Sequence, residues 1–156
     1  MTQPLVVYGE SSLDYDFGPG HPLTPLRFGP AIDLLRSLGA TEFIDPPAAT
    51  DEQLLRLHGA GYVAAIRAFG DDPGRPPAAG IGPGDCPPFG GMHAASARVA
   101  GGSLAAVERI LAGEIEHVFH PGGGLHHAHH DRAAGFCIYN DPALAVARAL
   151  DAGERV

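Results

Sequence analysis

Apolar and polar positions change their period several times along this chain, and each change marks an element. Leu5, Val6, Val7 and Tyr8 form a short apolar, partly β-branched run, the composition of a strand. Ile32, Leu34, Leu35 and Leu38 recur on a helical pattern that opens at Pro30, a residue favoured in a first helical turn. Gly39 stops that pattern, as a left-handed cap residue would. Thr50 and Gln53 make a capping-box pair ahead of a short helix that ends near His58. Residues 62–69 read as another helix, and an Ala-rich helix over residues 92–112 carries Gly101 and Gly102 inside it, which allow close packing or a kink. Residues 115–119 are the next strand. Asn140 or Asp141 caps a last helix that starts at Pro142 and stops at Gly153, and Glu154, Arg155 and Val156 lead towards another strand. Strands alternating with helices imply an α/β fold around a parallel sheet.

Two stretches between these elements are too distinctive to be plain connectors. Residues 71–88 form a Pro/Gly-rich loop of a length that is often functional. Residues 120–141, HPGGGLHHAHHDRAAGFCIYND, hold the richest chemistry in the chain. His126 and His127 follow a triple glycine and a strand, and adjacent histidines on irregular backbone can both face one cleft while glycines let the chain pass close to a ligand. Imidazole titrates near neutral pH, so the pair suits proton transfer, metal ligation or both. The glycines lack the P-loop lysine and the GxGxxG spacing of a phosphate cradle. His129 and His130 read as solvated loop residues, with a surface metal site formed together with His120 as the alternative. His21 and His58 read as structural histidines that bond loop backbone, and His93 shows no role.

Composition narrows the classes. A chain of 156 residues with 45% hydrophobic and 18% charged residues reads as one globular domain. All ten basic residues are arginines, and the net charge of −8 argues against nonspecific binding to nucleic acid or to an anionic membrane. No apolar stretch approaches the roughly 20 residues of a membrane span, and the N-terminus lacks the pattern of a signal peptide. Cys86 and Cys137 stand far apart without metal or scaffold spacing and are expected to be reduced thiols in a cytoplasmic protein.

These residues resemble the histone deacetylase superfamily, in particular its bacterial acetoin-utilisation (AcuC-type) branch. The likeness rests on GGGLHHAHHDRAAGFCIYND, on GPGHPLTPLR, on the segment from Leu57 and His58 to Tyr62, and on GDCPPFGGMHAA leading into a glycine-interrupted helix. It runs in the family's order across essentially the whole chain. The resemblance implies a three-layer α/β fold of the arginase/deacetylase type, of which residues 1–156 would be the N-terminal portion of one domain. It also implies zinc-dependent hydrolysis of acetyl-lysine in a protein substrate, such as an acyl-CoA synthetase. His127 matches the general base and His126 the histidine that stays largely cationic and stabilises the transition state. Phe136 matches an aromatic wall of the acyl-lysine tunnel, and Gly135 a position whose carbonyl faces the substrate amide. Asp85 matches an acid on a rim loop that holds the substrate backbone. Arg27 matches a buried arginine beside an internal channel, and both cysteines coincide with cysteine positions of some relatives.

The family's Asp-x-His metal ligands, a second Asp and a carbonyl-polarising tyrosine come after the point this sequence reaches. The 156 residues alone are therefore expected to be inactive, with no metal ligand among them and the missing C-terminal half as a possible partner. Polyamines and small amides remain open as substrates. The rival readings are a non-catalytic fragment that binds acetyl-lysine weakly, and a metal-binding module built on the histidines from His120 to His130.

Overall fold

A computed structural model describes residues 4–156. Its centre is a three-stranded parallel sheet in the order β2-β1-β3, where β1 is Leu5–Val7, β2 is Phe43–Ile44 and β3 is Val118–Phe119. Val6 pairs with Phe43 on one side and with Phe119 on the other. All three residues of β1 are buried, as a central strand flanked on both edges requires. β2 was not expected from the sequence, because two apolar residues are too few to set up a period.

The helices are α1 Phe28–Ser37, α2 Asp51–Leu54, α3 Ala60–Asp71, α4 Met92–Leu111 and α5 Asp141–Asp151. α4 packs against both α3 and α5 and touches β1. The capping box at α2 forms as expected: Gln53 N donates to Thr50 Oγ1 (3.2 Å) and Thr50 N to Gln53 Oε1 (2.9 Å). Asn140 is the N-cap of α5, its Oδ1 accepting from Ala143 N at 3.0 Å. Gly39 takes the left-handed conformation, φ +95°, just past α1.

The apolar stripe expected on α1 is split. The helix starts at Phe28, before Pro30, fed by a 3-10 turn at Pro25–Arg27. At about 100° per residue Phe28 and Ile32 share a face, and both are buried. Leu34 and Leu38 fall on the other side and are 58% and 75% exposed. Among the described residues, no helix is long and apolar enough to cross a membrane.

Candidate functional site

The loop between β3 and α5 is pinned from beneath by the first residues of α5. The Asp141 carboxylate is buried. Its Oδ1 accepts from Leu125 N at 2.7 Å, and its Oδ2 accepts from Gly124 N at 3.0 Å and from Ser103 Oγ at 2.5 Å. Asn140 holds the next residues: its Nδ2 donates to the carbonyls of His126 (3.1 Å) and Ala128 (3.0 Å). Gly123 is needed for this close approach, since a Cβ there would lie 2.7 Å from His120 Nδ1 and 2.8 Å from Asp141 Oδ2.

His126 and His127 emerge from the pinned loop side by side. Both are exposed, with ring centroids 4.3 Å apart and planes inclined by 34°. His126 Nδ1 lies 2.9 Å from the Gly124 carbonyl, which can only accept, so Nδ1 carries the proton and Nε2 is left outward. Gly135 lies against His127: a Cβ on it would sit 2.9 Å from His127 Cγ, and its φ of +53° also favours glycine. Phe136 follows at φ +70°, a strained conformation for an aromatic residue. Tyr15 holds this turn, donating to the Phe136 carbonyl at 2.7 Å and accepting from Ile138 N at 3.2 Å. The Tyr15 hydroxyl is buried, and burial, the largest cause, raises its pKa well above the ordinary range. Removing it in Tyr15→Phe leaves two backbone groups without their partner. The variant is expected to lose about 2 kcal/mol of stability, read as a lowered urea midpoint at unchanged m-value; an unchanged midpoint would remove Tyr15 from this role.

Asp85, Phe136 and His21 form one wall beside the histidine pair. His21 Nε2 meets the Asp85 carbonyl at 3.2 Å, and the His21 ring packs edge-on to Phe136 with centroids 4.7 Å apart. The Asp85 residue is exposed, its carboxylate unengaged by any ion pair among the described residues. The expectation of a buried Arg27 is corrected: Arg27 is exposed, its guanidinium 5.1 Å from the Phe28 ring centroid. It ends a 3-10 turn at the surface, where water solvates the charge that burial would leave uncompensated. Arg27 nevertheless lines a pocket together with Arg98, His120, Gly122 and Leu125, directly behind the glycine loop.

The remaining histidines divide as their surroundings dictate. His58 is buried and bridges two loops: its Nδ1 donates to the His129 carbonyl (3.0 Å) and its Nε2 accepts from Asn140 N (3.1 Å). His21 and His58 are thus structural, as the sequence suggested. His93, for which the sequence offered no role, meets the Tyr139 hydroxyl through Nδ1 at 2.9 Å. His129 and His130 are exposed loop residues, and His130 Nδ1 bonds the Leu57 carbonyl at 2.5 Å. Both cysteines are free and buried, and burial pushes the Cys86 thiol up to about 11. Among the described residues no group of three or more His, Cys, Asp or Glu side chains could hold a metal ion. The histidines from His120 to His130 therefore do not assemble a zinc site, and zinc does not fit the donor set of these residues.

Burial lowers the pKa of His58, and it is likewise the largest cause of the lowering at His93 and His120. Above the ordinary value of 6.5 both folded and unfolded chains carry these rings neutral, and stability is full. As pH falls through that value the unfolded chain takes up protons first, so stability is lost until the folded-state values are passed. Each such proton costs up to about 1.4 kcal/mol per pH unit. Urea midpoints are expected to drop from pH 7 to pH 5, and less steeply in His58→Gln; a flat profile in the parent would contradict the burial of these rings.

Sequence reasoning missed Tyr15, Ser103 and the carboxylate role of Asp141. Asp141 was visible only as a capping candidate, and nothing local to Tyr15 or Ser103 signals contacts 121 and 38 residues away.

Residues 21–156 match the family model described as "Histone deacetylase domain". The chain is 36% identical over 154 residues to "Acetoin utilization protein AcuC" of Bacillus subtilis (strain 168), covering 94% of this chain and 39% of that protein. It is also 36% identical over 146 residues to the protein of the same name from Staphylococcus xylosus, covering 90% of this chain and 38% of the relative. The chain thus spans well under half the length of the curated relatives it matches.

Proposed function

This chain belongs to the histone deacetylase family, and from that premise we propose that its residues supply the acid–base half of a deacetylase centre acting on acetyl-lysine. Its three-stranded parallel α/β sheet is that of an incomplete deacetylase domain, and we read residues 1–156 as the N-terminal portion of that domain. The observation that carries the reading is the adjacent pair His126 and His127, set side by side on a pinned loop against Gly135 and Phe136.

In this reading the acetyl-lysine side chain lies along Phe136, and Asp85 on the neighbouring rim receives the substrate backbone. The Gly135 carbonyl accepts from the substrate amide N–H, placing its carbonyl carbon near the histidines. His127 takes a proton from water as water attacks, and later returns it to the leaving lysine nitrogen. His126, held by the Gly124 carbonyl, carries positive charge beside the developing oxyanion. Arg27 stands at the pocket behind the loop, where the proposed internal channel would run. Zinc is the metal we propose for the complete centre, where it would activate the water and polarise the acetyl carbonyl. We place its ligands beyond these residues, and we propose that the 156 residues alone are inactive. The substrate we favour is an acetylated protein such as an acyl-CoA synthetase; nucleic acid and membrane are not proposed as partners.

The test is a chimera in which this chain replaces the segment of the Bacillus subtilis relative that it matches over 154 residues. The chimera is expected to release acetate from an acetyl-lysine peptide when supplied with zinc, and the isolated chain is not. A folded chimera without turnover, beside an active parent relative, would overturn the proposal.

A further inference from the structure

The hydrogen bonds beneath the histidine pair do more than fill space. Four of them straddle His126 and His127: Asp141 holds the two amides before the pair, and Asn140 holds the carbonyls of His126 and Ala128. All four come from two consecutive residues at the start of α5, so the pair's position is referred to a single helix end. The helix end is itself fixed elsewhere, since Asn140 N donates to the buried His58 ring.

The proton order in this network can be worked out. Ser103 has one hydroxyl proton, and Asp141 Oδ2 at 2.5 Å can only accept, so Ser103 donates to Asp141. Ser103 Oγ then has only lone pairs to offer His120 Nδ1, which lies 3.0 Å away. His120 must therefore carry its proton on Nδ1 and donate to Ser103. The resulting chain runs His120 Nδ1–H to Ser103 O–H to the Asp141 carboxylate and on to the Gly124 and Leu125 amides.

We infer that Asn140 and Asp141 are positioning residues for the His126–His127 pair, and that Ser103 and His120 brace Asp141 as the acceptor of that clamp. The inference rests on the acid–base reading of the pair for its catalytic meaning, but the clamp itself is a matter of geometry. Neither residue touches the reacting atoms; both act through the backbone that carries the two imidazoles. Loss of the clamp lets the loop slide, and displacement of a general base by about an ångström lowers turnover more than it lowers binding. Asp85 and Phe136, which would bind substrate, hang from His21 and Tyr15 and are not held by the clamp.

Nitrogen-15 NMR of the 156-residue chain tests the geometry, and the chimera tests its consequence. In the parent, His120 is expected as the Nδ1–H tautomer. In Asp141→Asn, the Gly124 and Leu125 amides are expected to exchange about tenfold faster or more, with His126 and His127 ring signals displaced. In Ser103→Ala, His120 is expected to lose its single tautomer while Leu125 stays protected. Should Asp141→Asn fail to fold, the Ser103→Ala spectrum decides. A Nε2–H tautomer at His120 in the parent, or unchanged Gly124 and Leu125 amides in a folded Asp141→Asn chain, overturns the clamp. In the chimera Asp141→Asn is expected to lower kcat about tenfold or more with KM within about twofold; equal kcat in parent and variant overturns the positioning role. A chimera inactive from the outset sinks the function proposed above, while the NMR signatures still decide the clamp.

Discussion

In the chimera with the Bacillus subtilis relative, His127→Ala is expected to lower kcat by about 10²–10⁴-fold, the usual worth of a positioned general base. KM should change little, because His127 is not among the residues that would hold the acyl-lysine chain. The geometry distinguishes the two histidines. The Nδ1 of His126 is engaged by the Gly124 carbonyl, whereas among the described residues the His127 ring makes no hydrogen bond and lies beside the His126 ring and Gly135. A free imidazole can take up and return a proton without breaking an existing bond. The engaged one is suited to holding charge. His126→Ala should therefore also depress kcat. A polar loop pair without chemistry predicts instead that both variants stay within about twofold of the parent. Equal activity of His127→Ala and the parent chimera would end the acid–base reading of this loop.

The sequence foretold this site unevenly, and the reasons are physical. Features set by neighbours in the chain were readable: the capping pair Thr50 and Gln53, and the left-handed stop at Gly39. The family likeness correctly identified the chain as a member of the histone deacetylase family and its fold as α/β with a parallel sheet. Contacts between distant residues were not readable. Tyr15 reaches the Phe136 carbonyl across 121 residues, and its role follows only once the first loop folds over the last. Asp141 looked like a helix cap because a cap and a loop clamp need the same residue type; its carboxylate turns away from its own helix to the glycine loop. Arg27 shows the opposite failure. Its motif implied burial, yet the solvation of a guanidinium depends on elements that its local sequence does not contain.

The same distinction between local and distant causes decides two glycine substitutions of opposite sign. Gly→Ala inside a helix ordinarily stabilises by about 1 kcal/mol, because alanine loses less backbone entropy on folding. Gly61, in the first turn of α3, has nothing within 4 Å of where its Cβ would stand, so Gly61→Ala is expected to gain about 0.5 kcal/mol. Gly101, within α4, has the same local preference and the opposite surroundings. A Cβ there would lie 2.0 Å from the Pro47 carbonyl oxygen and 2.5 Å from Ala49 N. Those atoms are backbone, and the Ala49 amide is already tied to α4 through the Ala97 carbonyl at 2.8 Å. The segment cannot retreat without breaking that bond, so overpacking of about 3 kcal/mol or more outweighs the helical gain. Gly101→Ala is expected to lose at least about 2 kcal/mol net, lowering Tm by about 4–8 °C for a chain of this size. Circular dichroism melts of the two variants beside the parent read both signs at once. A Gly101→Ala chain that melts with or above the parent would mean that α4 does not lie against residues 47–49. The loop that brings β2 up to α2 would then need another anchor, and the sheet edge beside β1 with it.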